Sequence, residues 1–294
     1  MRPAASGEFM DSGPRESGGA GRTRLVVNAD DFGFTRDVNE GIVEAHTSGI
    51  LTATTLMATG PAFEHAVELA RRTPTLDVGC HVALVQGRSA LDPERALPAT
   101  PAALAAAVTL GRFPVEEEIR AQVRKIVEAG IRPTHIDTHK HTHLLPRVLQ
   151  AVARVAREFG IAWVRVPLDG PVPDDGIPLR LRALAWGARR LRPVFDRVLS
   201  RYGRRTTDYF TGFQLTGRLD ARLLARLIRN LAPGSVELMC HPGYCTGELL
   251  RARTRLKESR ERELEALLAL EVKEAVQESG VELVNYRRLG GTNE

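Results

Sequence analysis

Short apolar runs alternate with longer amphipathic segments along the chain from Leu25 onward. Aliphatic and β-branched residues dominate the runs, which is typical of strands buried on both faces of a sheet. We predict such strands at residues 25–29, 51–57, 77–84, 134–138, 162–166, 208–213, 235–240 and 281–285. Between the runs, apolar residues recur at helical spacing. We predict helices at residues 37–48, 61–72, 102–108, 115–129, 145–159, 219–230 and 256–279, and two basic helices that break near Pro193.

This alternation, without an internal repeat or an evident linker, predicts one α/β domain with a parallel sheet. Seven or eight strand–helix units favour a (βα) barrel, a TIM-like variant, and we predict that this domain spans residues 24–290. An open doubly wound sheet is the alternative, but the first turn, Ala29 to Gly33, lacks the glycine fingerprint of that fold. Residues 1–23 are rich in Gly, Ser, Pro and Arg and predict a disordered leader, in which Met10 offers an alternative start.

The composition excludes several other classes of protein. Of the 294 residues, 43% are hydrophobic and 26% are charged, which is typical of a globular domain rather than a disordered or fibrous chain. No apolar run is long enough for a transmembrane helix. The three cysteines, Cys80, Cys240 and Cys245, do not suggest a disulfide framework and suit a reducing compartment. We therefore expect a cytoplasmic protein.

Polar residues cluster where the predicted strands end. Asp30 and Asp31 follow the first strand, His81 lies in the third, and His241 follows the seventh. The carboxyl ends of barrel strands meet on one face of the fold. These residues are therefore expected to share one pocket, although they are spread over most of the chain.

A histidine-rich segment runs through and beyond the fourth predicted strand. Its odd-numbered positions are His135, Asp137, His139, His141 and His143. In an extended chain these five side chains would share one face. Four imidazoles and a carboxylate on one face suit a divalent metal ion. The alternative is a set of buried, hydrogen-bonded histidines with a structural role.

Asp30, Asp31 and His241 also offer groups for proton transfer. Neighbouring carboxylates at a strand end cannot point into the barrel in the same way, which predicts that one binds metal and the other takes a proton. The Pro242-Gly243 turn would hold His241 over the barrel mouth, where it could protonate the amine that leaves during amide hydrolysis. Taken singly, each of these residues is also typical of a turn or a helix cap.

The chain resembles the YdjC-like, ChbG-type carbohydrate deacetylases at these residues. The matching motifs are residues 27–33, Gly79-Cys80-His81, residues 134–143 and His241-Pro242-Gly243. Together they span nearly the whole predicted domain. Within the family, residues 137–143 and 237–244 look most like the hopanoid-biosynthesis-associated HpnK branch.

The resemblance implies a barrel of the glycoside hydrolase/deacetylase type that removes N-acetyl groups from sugars with one divalent metal ion, Mg²⁺ or Zn²⁺. It implies Asp31, His81 and His139 as metal ligands, Asp30 as general base and His241 as general acid. Arg165 would orient Asp30 or bind substrate. The remaining candidates for substrate contact or for support of the ligands are His141, His143 and Asp137.

The substrate implied is an N-acetylglucosamine-type sugar, either the head group of a hopanoid glycolipid or a chitooligosaccharide. Two other functions stay open. A metal-dependent phosphoesterase would use the same barrel, although it usually needs a second metal and more carboxylates. A sugar- or lipid-binding module would keep the fold without catalysis, but the presence of both Asp30 and His241 argues against it.

The net charge of +5 is concentrated in one segment. Residues 180–205 hold nine arginines and one acidic residue, Asp196, a net of +8, so the remainder of the chain carries −3. Leucines at helical spacing make these predicted helices amphipathic. A solvated outer face is the ordinary interpretation, and peripheral contact with the anionic inner membrane is the functional one. No nucleic-acid recognition motif accompanies the charge. A homodimer is compatible with the sequence, which carries no strong interface signal.

Overall fold

The computed structural model describes residues 22–170, 172 and 176–291. In this part of the chain the strands are β1 (Thr23–Phe32), β2 (Ala53–Leu56), β3 (Asp77–Val82), β4 (His135–Thr138), β5 (Trp163–Val164), β6 (Tyr209–Thr211), β7 (Gly234–Cys240) and β8 (Glu282–Leu283). The helices are α1 (Arg36–Thr47), α2 (Phe63–Arg72), α3 (Pro101–Thr109), α4 (Val115–Glu128), α5 (Pro146–Glu158), α6 (Leu179–Ala188), α7 (Arg192–Tyr202), α8 (Ala221–Arg229), α9 (Gly247–Arg251), α10 (Glu258–Leu268), α11 (Leu270–Glu278) and α12 (Tyr286–Leu289).

The strands form one parallel sheet in the order β5-β4-β3-β2-β1-β7-β6, and β8 pairs with the first half of β1. Single bridges, Trp163 to Arg205 and Asp169 to Phe210, connect the β5 edge to the region around β6. The sheet therefore curls into a partial barrel with helices packed around it. The predicted fold class, a single-domain α/β barrel variant, is confirmed.

A disordered leader was predicted for residues 1–23. Residues 1–21 lie outside the described part of the chain, and Thr23 is the first residue of β1. The break between the two basic helices falls at Arg189–Leu191, a short 3₁₀ segment, while Pro193 sits in the first turn of α7. This is a position that proline tolerates, because the first helical N–H groups have no partner within the helix.

The two faces of β1 explain how the site is positioned. Leu25, Val27 and Ala29 belong to the main core between sheet and helices, whereas Val26 packs with Trp163 in a second apolar cluster. Side chains alternate along a strand, so Asn28 and Asp30 continue the face of Val26. That face is apolar at the amino end of the sheet and becomes polar toward the carboxyl ends, where the candidate residues lie.

The helix α1 contacts the turn after β7 more closely than any side chain would allow. A Cβ atom on Gly41 would lie 2.6 Å from the Cα atom of Gly243, two residues after His241. Only glycine fits at this crossing, and the contact fixes the turn that carries His241.

We predict that Gly41→Ala destabilises the protein by about 1–3 kcal/mol, the usual cost of overpacking, although alanine favours helices. The matched control is Gly187→Ala in α6, where nothing lies within 4 Å of the added Cβ. That change should be neutral or stabilise by up to about 1 kcal/mol. Urea unfolding of both variants measures the difference. Equal stability of Gly41→Ala and the parent protein would show that the crossing is not tight.

Candidate active site

A cavity of about 1270 Å³ opens at the carboxyl ends of the strands. Its inner wall carries the residues that the sequence singled out: Asp30, Asp31, His81, His139, His141 and His241. Its outer wall is apolar and cationic, with Leu181, Leu184, Leu256, Lys140, Arg180, Arg253 and Arg255. The expected convergence of strand ends on one pocket therefore occurs.

Asp30 and Asp31 both face this cavity because the backbone of β1 changes course between them. Asp31 has a positive φ of 70°, and the register of β1 against β2 shifts between Ala29 and Phe32. This irregularity turns two successive carboxylates toward the same space, which a regular strand would not do. The two carboxylates differ in their partners rather than in the side of the sheet that they face.

Asp31, His81 and His139 form a compact triangle of ligand atoms. Asp31 Oδ1 lies 3.3 Å from His81 Nε2 and 3.2 Å from His139 Nδ1, and the two nitrogens are 3.2 Å apart. Ligand atoms about 2.0–2.1 Å from a tetrahedral zinc ion lie about 3.3–3.4 Å from one another. Asp31 Oδ1 is also buried without a well-formed hydrogen bond. The donor set and its spacing fit a divalent cation.

Asp137 supports this triangle from behind. Its Oδ1 lies 2.6 Å from His81 Nδ1, and Thr55 donates its hydroxyl to Asp137 Oδ2. A carboxylate on Nδ1 orients the imidazole and leaves Nε2 directed at the triangle. Burial by itself would lower the pKa of His81, but Asp137 and Asp30 outweigh it and raise that pKa to about 10.

Arg165 lies beneath the cavity and joins three carboxylates. It donates two hydrogen bonds to Asp30, at 2.8 and 2.7 Å, and a further one of 2.7 Å from Nε to Glu237. Its Nη1 is also 2.6 Å from Asp137 Oδ2. Burial would raise the pKa of Asp30, but the Arg165 guanidinium dominates and holds it well below its usual range.

His241 stands on the other side of the cavity with Glu263 of α10 behind it. The His241 backbone N–H donates to Glu263 Oε2 at 2.5 Å, and the same oxygen lies 3.9 Å from His241 Nδ1. Burial lowers the pKa of His241 to about 4, against the opposing effect of Asp30. Burial also raises the pKa of Glu263 to about 7.

The remaining histidines of the segment do not share a face, and the expectation of an extended chain is wrong there. Residues His139–Leu144 form a 3₁₀ turn in which Lys140 and His141 have left-handed backbone. His135 points to the opposite end of the barrel, where it stacks on Tyr286 with ring centroids 4.0 Å apart.

The turn gives His141 and His143 different surroundings. His141 lines the cavity edge-on to the ring of Phe213. His143 is fully buried behind it, 2.6 Å from Thr138 Oγ1 and 3.1 Å from the carbonyl oxygen of Arg165. The contacts of His143 hold together the ends of β4 and β5.

Three buried charged residues of the site were not predicted from the sequence: Glu237, Arg260 and Glu263. Glu237 pairs with Arg165, and Arg260 donates to Asp31 Oδ2. Arg260 and Glu263 are three residues apart on α10, so they lie on the same side of that helix. In a sequence such as residues 258–268, rich in Glu and Arg, nothing distinguishes these two from surface charges.

The fold and the site together define a class of α/β half-barrel proteins with a histidine–carboxylate centre at the strand ends. The sequence profile of the family described as "YdjC-like protein" matches residues 24–278, and the chain belongs to that family.

Named relatives and a solved structure agree with this placement. The chain is 34% identical over 275 residues to a carbohydrate deacetylase of Brevibacillus brevis, covering 91% of this chain and all of that protein. It is 37% identical over 247 residues to a carbohydrate deacetylase of Homo sapiens, covering 76% of each. The crystal structure of a putative cellobiose-phosphate cleavage protein from Enterococcus faecalis superposes with a TM-score of 0.70 at 27% identity, over 91% of this chain and 99% of the other.

We predict that Arg165→Met destabilises the fold by about 3–5 kcal/mol, because it leaves buried carboxylates without their cation. The matched control is Arg229→Met, which removes an exposed ion pair with Glu278 and should cost less than about 1 kcal/mol. Chemical unfolding of both variants gives the comparison. Similar small losses in the two would show that Arg165 does not hold the carboxylates together.

Proposed function

We propose that this protein is a metal-dependent carbohydrate N-deacetylase. One observation carries the proposal: the Asp31–His81–His139 triangle lies in the same cavity as a carboxylate, Asp30, and an imidazole, His241. Hydrolysis of an amide needs these parts, because a water must lose a proton and the departing amine must gain one. The carbohydrate deacetylases among the relatives support the same reaction.

In this proposal Asp31, His81 and His139 hold one divalent ion. When bound there, the ion would acidify a water molecule and polarise the acetamide carbonyl. Two nitrogen ligands and one oxygen favour zinc, and magnesium is the alternative.

Asp30 takes the proton from the attacking water. The Arg165 contact keeps this carboxylate ionised and fixes its orientation, since both of its oxygens are held. The same contact makes Asp30 a weak base, because it lowers the pKa. Asp30 therefore requires a water whose own acidity has been increased, which accords with a cation site beside it.

His241 delivers a proton to the amine nitrogen as acetate leaves. Burial disfavours the charged ring, whereas Asp30 and Asp31 favour it. Negative charge that develops on the substrate during attack adds to these two carboxylates and stabilises the imidazolium. Glu263 keeps the ring in place through the backbone of His241.

The phosphoesterase alternative is disfavoured by Arg165. A second metal would need the other ligand cluster in the described residues, Asp30, His81 and Asp137. Arg165 already lies within 2.8 Å of oxygens of both carboxylates in that cluster. A buried guanidinium and a second dication cannot share those oxygens without strong repulsion.

The substrate that we propose is an N-acetylglucosamine-type sugar carried on a larger molecule. A cavity of about 1270 Å³ exceeds the roughly 300–1,000 Å³ of ordinary small-ligand pockets. Its outer wall includes Leu181, Leu184 and Leu256, which suit an apolar aglycone such as the hopanoid of a glycolipid. A chitooligosaccharide is the alternative, and mass spectrometry of acetate loss from each compound distinguishes them.

Two substitutions separate metal binding from catalysis. Asp30→Asn should retain the metal and lower turnover about 10²- to 10⁴-fold, as expected for loss of a general base. His139→Ala should lose both metal and turnover, because it removes a ligand. Metal content, with zinc and magnesium measured separately, and acetate release are determined on the same samples. Asp92→Asn, an exposed aspartate, is the control. Equal loss of metal from Asp30→Asn and His139→Ala would contradict the assignment.

We further propose that the basic segment contacts an anionic membrane surface through α6. Only Ala185 of this helix is buried, whereas Leu179, Leu184 and Trp186 are 82%, 57% and 62% exposed. Residues Arg180, Leu181 and Leu184 of the same helix line the cavity. A lipid-linked sugar would thus reach the site from the surface that α6 presents. None of the helices in the described ranges has the length and apolarity to cross a bilayer.

Vesicle co-sedimentation tests this contact. Binding to phosphatidylglycerol-containing vesicles should be salt-sensitive, and it should weaken at least about tenfold when Arg189 and Arg190 are both changed to Glu, because each basic residue contributes about 1 kcal/mol. Trp186→Ser should weaken it as well, whereas Leu270→Ser, at a leucine of α11 that is 70% exposed, should not. Binding that is absent, or that is the same in all variants, would contradict the proposal.

A further inference from the structure

Arg260 is a buried cation with more hydrogen-bond donors than partners. Its side chain comes from α10, is 2% exposed and lines the cavity beside the triangle. Nη2 donates to Asp31 Oδ2, while Nε and Nη1 are buried without a hydrogen-bond partner. Buried guanidinium N–H groups are normally satisfied, since each unsatisfied donor costs about 1–3 kcal/mol or more. The unpaired donors therefore indicate a ligand with acceptor oxygens.

The position of Arg260 restricts what that ligand is. Asp31 presents one oxygen, Oδ1, to His81 and His139 and the other, Oδ2, to Arg260. The guanidinium thus borders the place where the proposed reaction occurs. The ring of Phe34 lies 5.7 Å from its Cζ atom and covers one side of it. A cationic N–H donor in such a place matches the oxygen of a carboxylate or a carbonyl oxygen that gains negative charge.

We propose that Arg260 binds the acetyl oxygens of the substrate: the acetamide carbonyl oxygen before hydrolysis and the carboxylate of acetate afterwards. This inference rests on the proposed deacetylation for the identity of the ligand, and on the unpaired donors for the existence of the site. Arg260 then has two functions. It holds Asp31 through Nη2, and it provides Nη1, the unpaired donor of its terminal fork, to the acyl group. In the transition state the Nη1 donor and the positive charge of the guanidinium would stabilise the charge on the oxygen, as an oxyanion hole does.

The alternative is that Arg260 acts only through Asp31, as a positioning residue. The two roles differ in what they affect. Loss of a positioning contact changes the affinity for metal, whereas loss of an acyl-oxygen site changes the affinity for acetate even when no metal is present.

The experiment measures acetate binding to the metal-free full-length protein by NMR titration with ¹³C-acetate. We expect the parent protein to bind acetate and Arg260→Gln to bind it at least about tenfold more weakly, the effect of losing hydrogen bonds to a charged group. Arg260→Lys, which keeps the charge without the fork, should fall between them. Arg229→Gln, at an exposed arginine that pairs with Glu278, is the control and should bind as the parent does. Circular dichroism melting shows whether each variant is folded.

Metal affinity and deacetylation are measured on the same variants. Weaker acetate binding by metal-free Arg260→Gln, together with a lower kcat at saturating metal, would support the site. A change in metal affinity beside these effects is expected, because Arg260 also holds Asp31. Acetate affinity that is equal in the parent and Arg260→Gln, or absent from the metal-free parent, would overturn it. If the protein binds acetate through Arg260 but releases none from N-acetylated sugars, the proposed function fails while the site stands. If deacetylation is observed without Arg260-dependent binding, only this inference fails.

Discussion

The ion pairs of the buried Arg165 guanidinium determine how the site is arranged. Three strands bring a carboxylate to this one side chain: Asp30 on β1, Asp137 on β4 and Glu237 on β7. Each carboxylate alone would be costly to bury, and the guanidinium would be equally costly without them. Because the partners come from separate strands, the pairing also fixes the strands relative to one another at the level where the cavity begins.

Hydrogen bonds and ion pairs connect the Arg165 cluster to the residues below it and above it in the barrel interior. Asn28 connects the Arg165 cluster to the amino end. Its amide nitrogen donates to Asp30, and its Oδ1 accepts a hydrogen bond of 2.8 Å from His135 Nε2. Toward the cavity, Asp137 contacts both Arg165 and His81, so the orientation of His81 depends on the same cluster. Asp31 lies outside the Arg165 cluster and has its own cation, Arg260. The two adjacent aspartates therefore have separate counterions, which allows them to serve different purposes.

Backbone strain coincides with the same cavity. Within the described residues, the non-glycine residues of positive φ are Asp31, Gln86, Lys140 and His141, and all of them line it. Such conformations cost of order 1–3 kcal/mol each and persist only where the surroundings enforce them. At Asp31 the enforcing contacts are the buried strand β1 and the ion pair with Arg260. The positive φ of Asp31 turns its side chain into the cavity beside Asp30. The positive φ values of Lys140 and His141 turn the chain away from the direction of β4 after Thr138.

Much of this arrangement was predictable from the sequence because it follows from topology. Parallel strands joined by helices place their carboxyl ends together, so Asp31, His81 and His139 were expected in one pocket once the strands were identified. The resemblance to the deacetylase family implied these three as the ligand set. The 3₁₀ turn after Thr138 was not predictable, because a left-handed backbone at Lys140 and His141 leaves no mark in residues of these types. The alternating pattern therefore suggested one face, whereas the four histidines of the segment lie in four different environments.

The buried charged residues on α10 were also not predictable from the sequence. Arg260 and Glu263 are buried against the site, yet the sequence around them, rich in Glu and Arg, is typical of a solvated helix. Burial of such residues depends on which neighbours the fold supplies, and those neighbours come from β1 and the turn after β7, far away in sequence. Pairing of distant charges is a tertiary property that helical periodicity does not contain.

The cavity divides into an inner part and an outer part with different origins. The inner part is built from strand ends and is fixed by Arg165, Arg260 and Glu263, so its geometry depends on the core of the fold. The outer part is built from α6 and the segment 253–256, which pack on that core by few buried residues. Substitutions in the outer part therefore have little effect on the ion pairs that orient the inner residues. It follows that, under the proposed function, a chain of this fold can change the molecule that carries the sugar without changing the residues of the inner part.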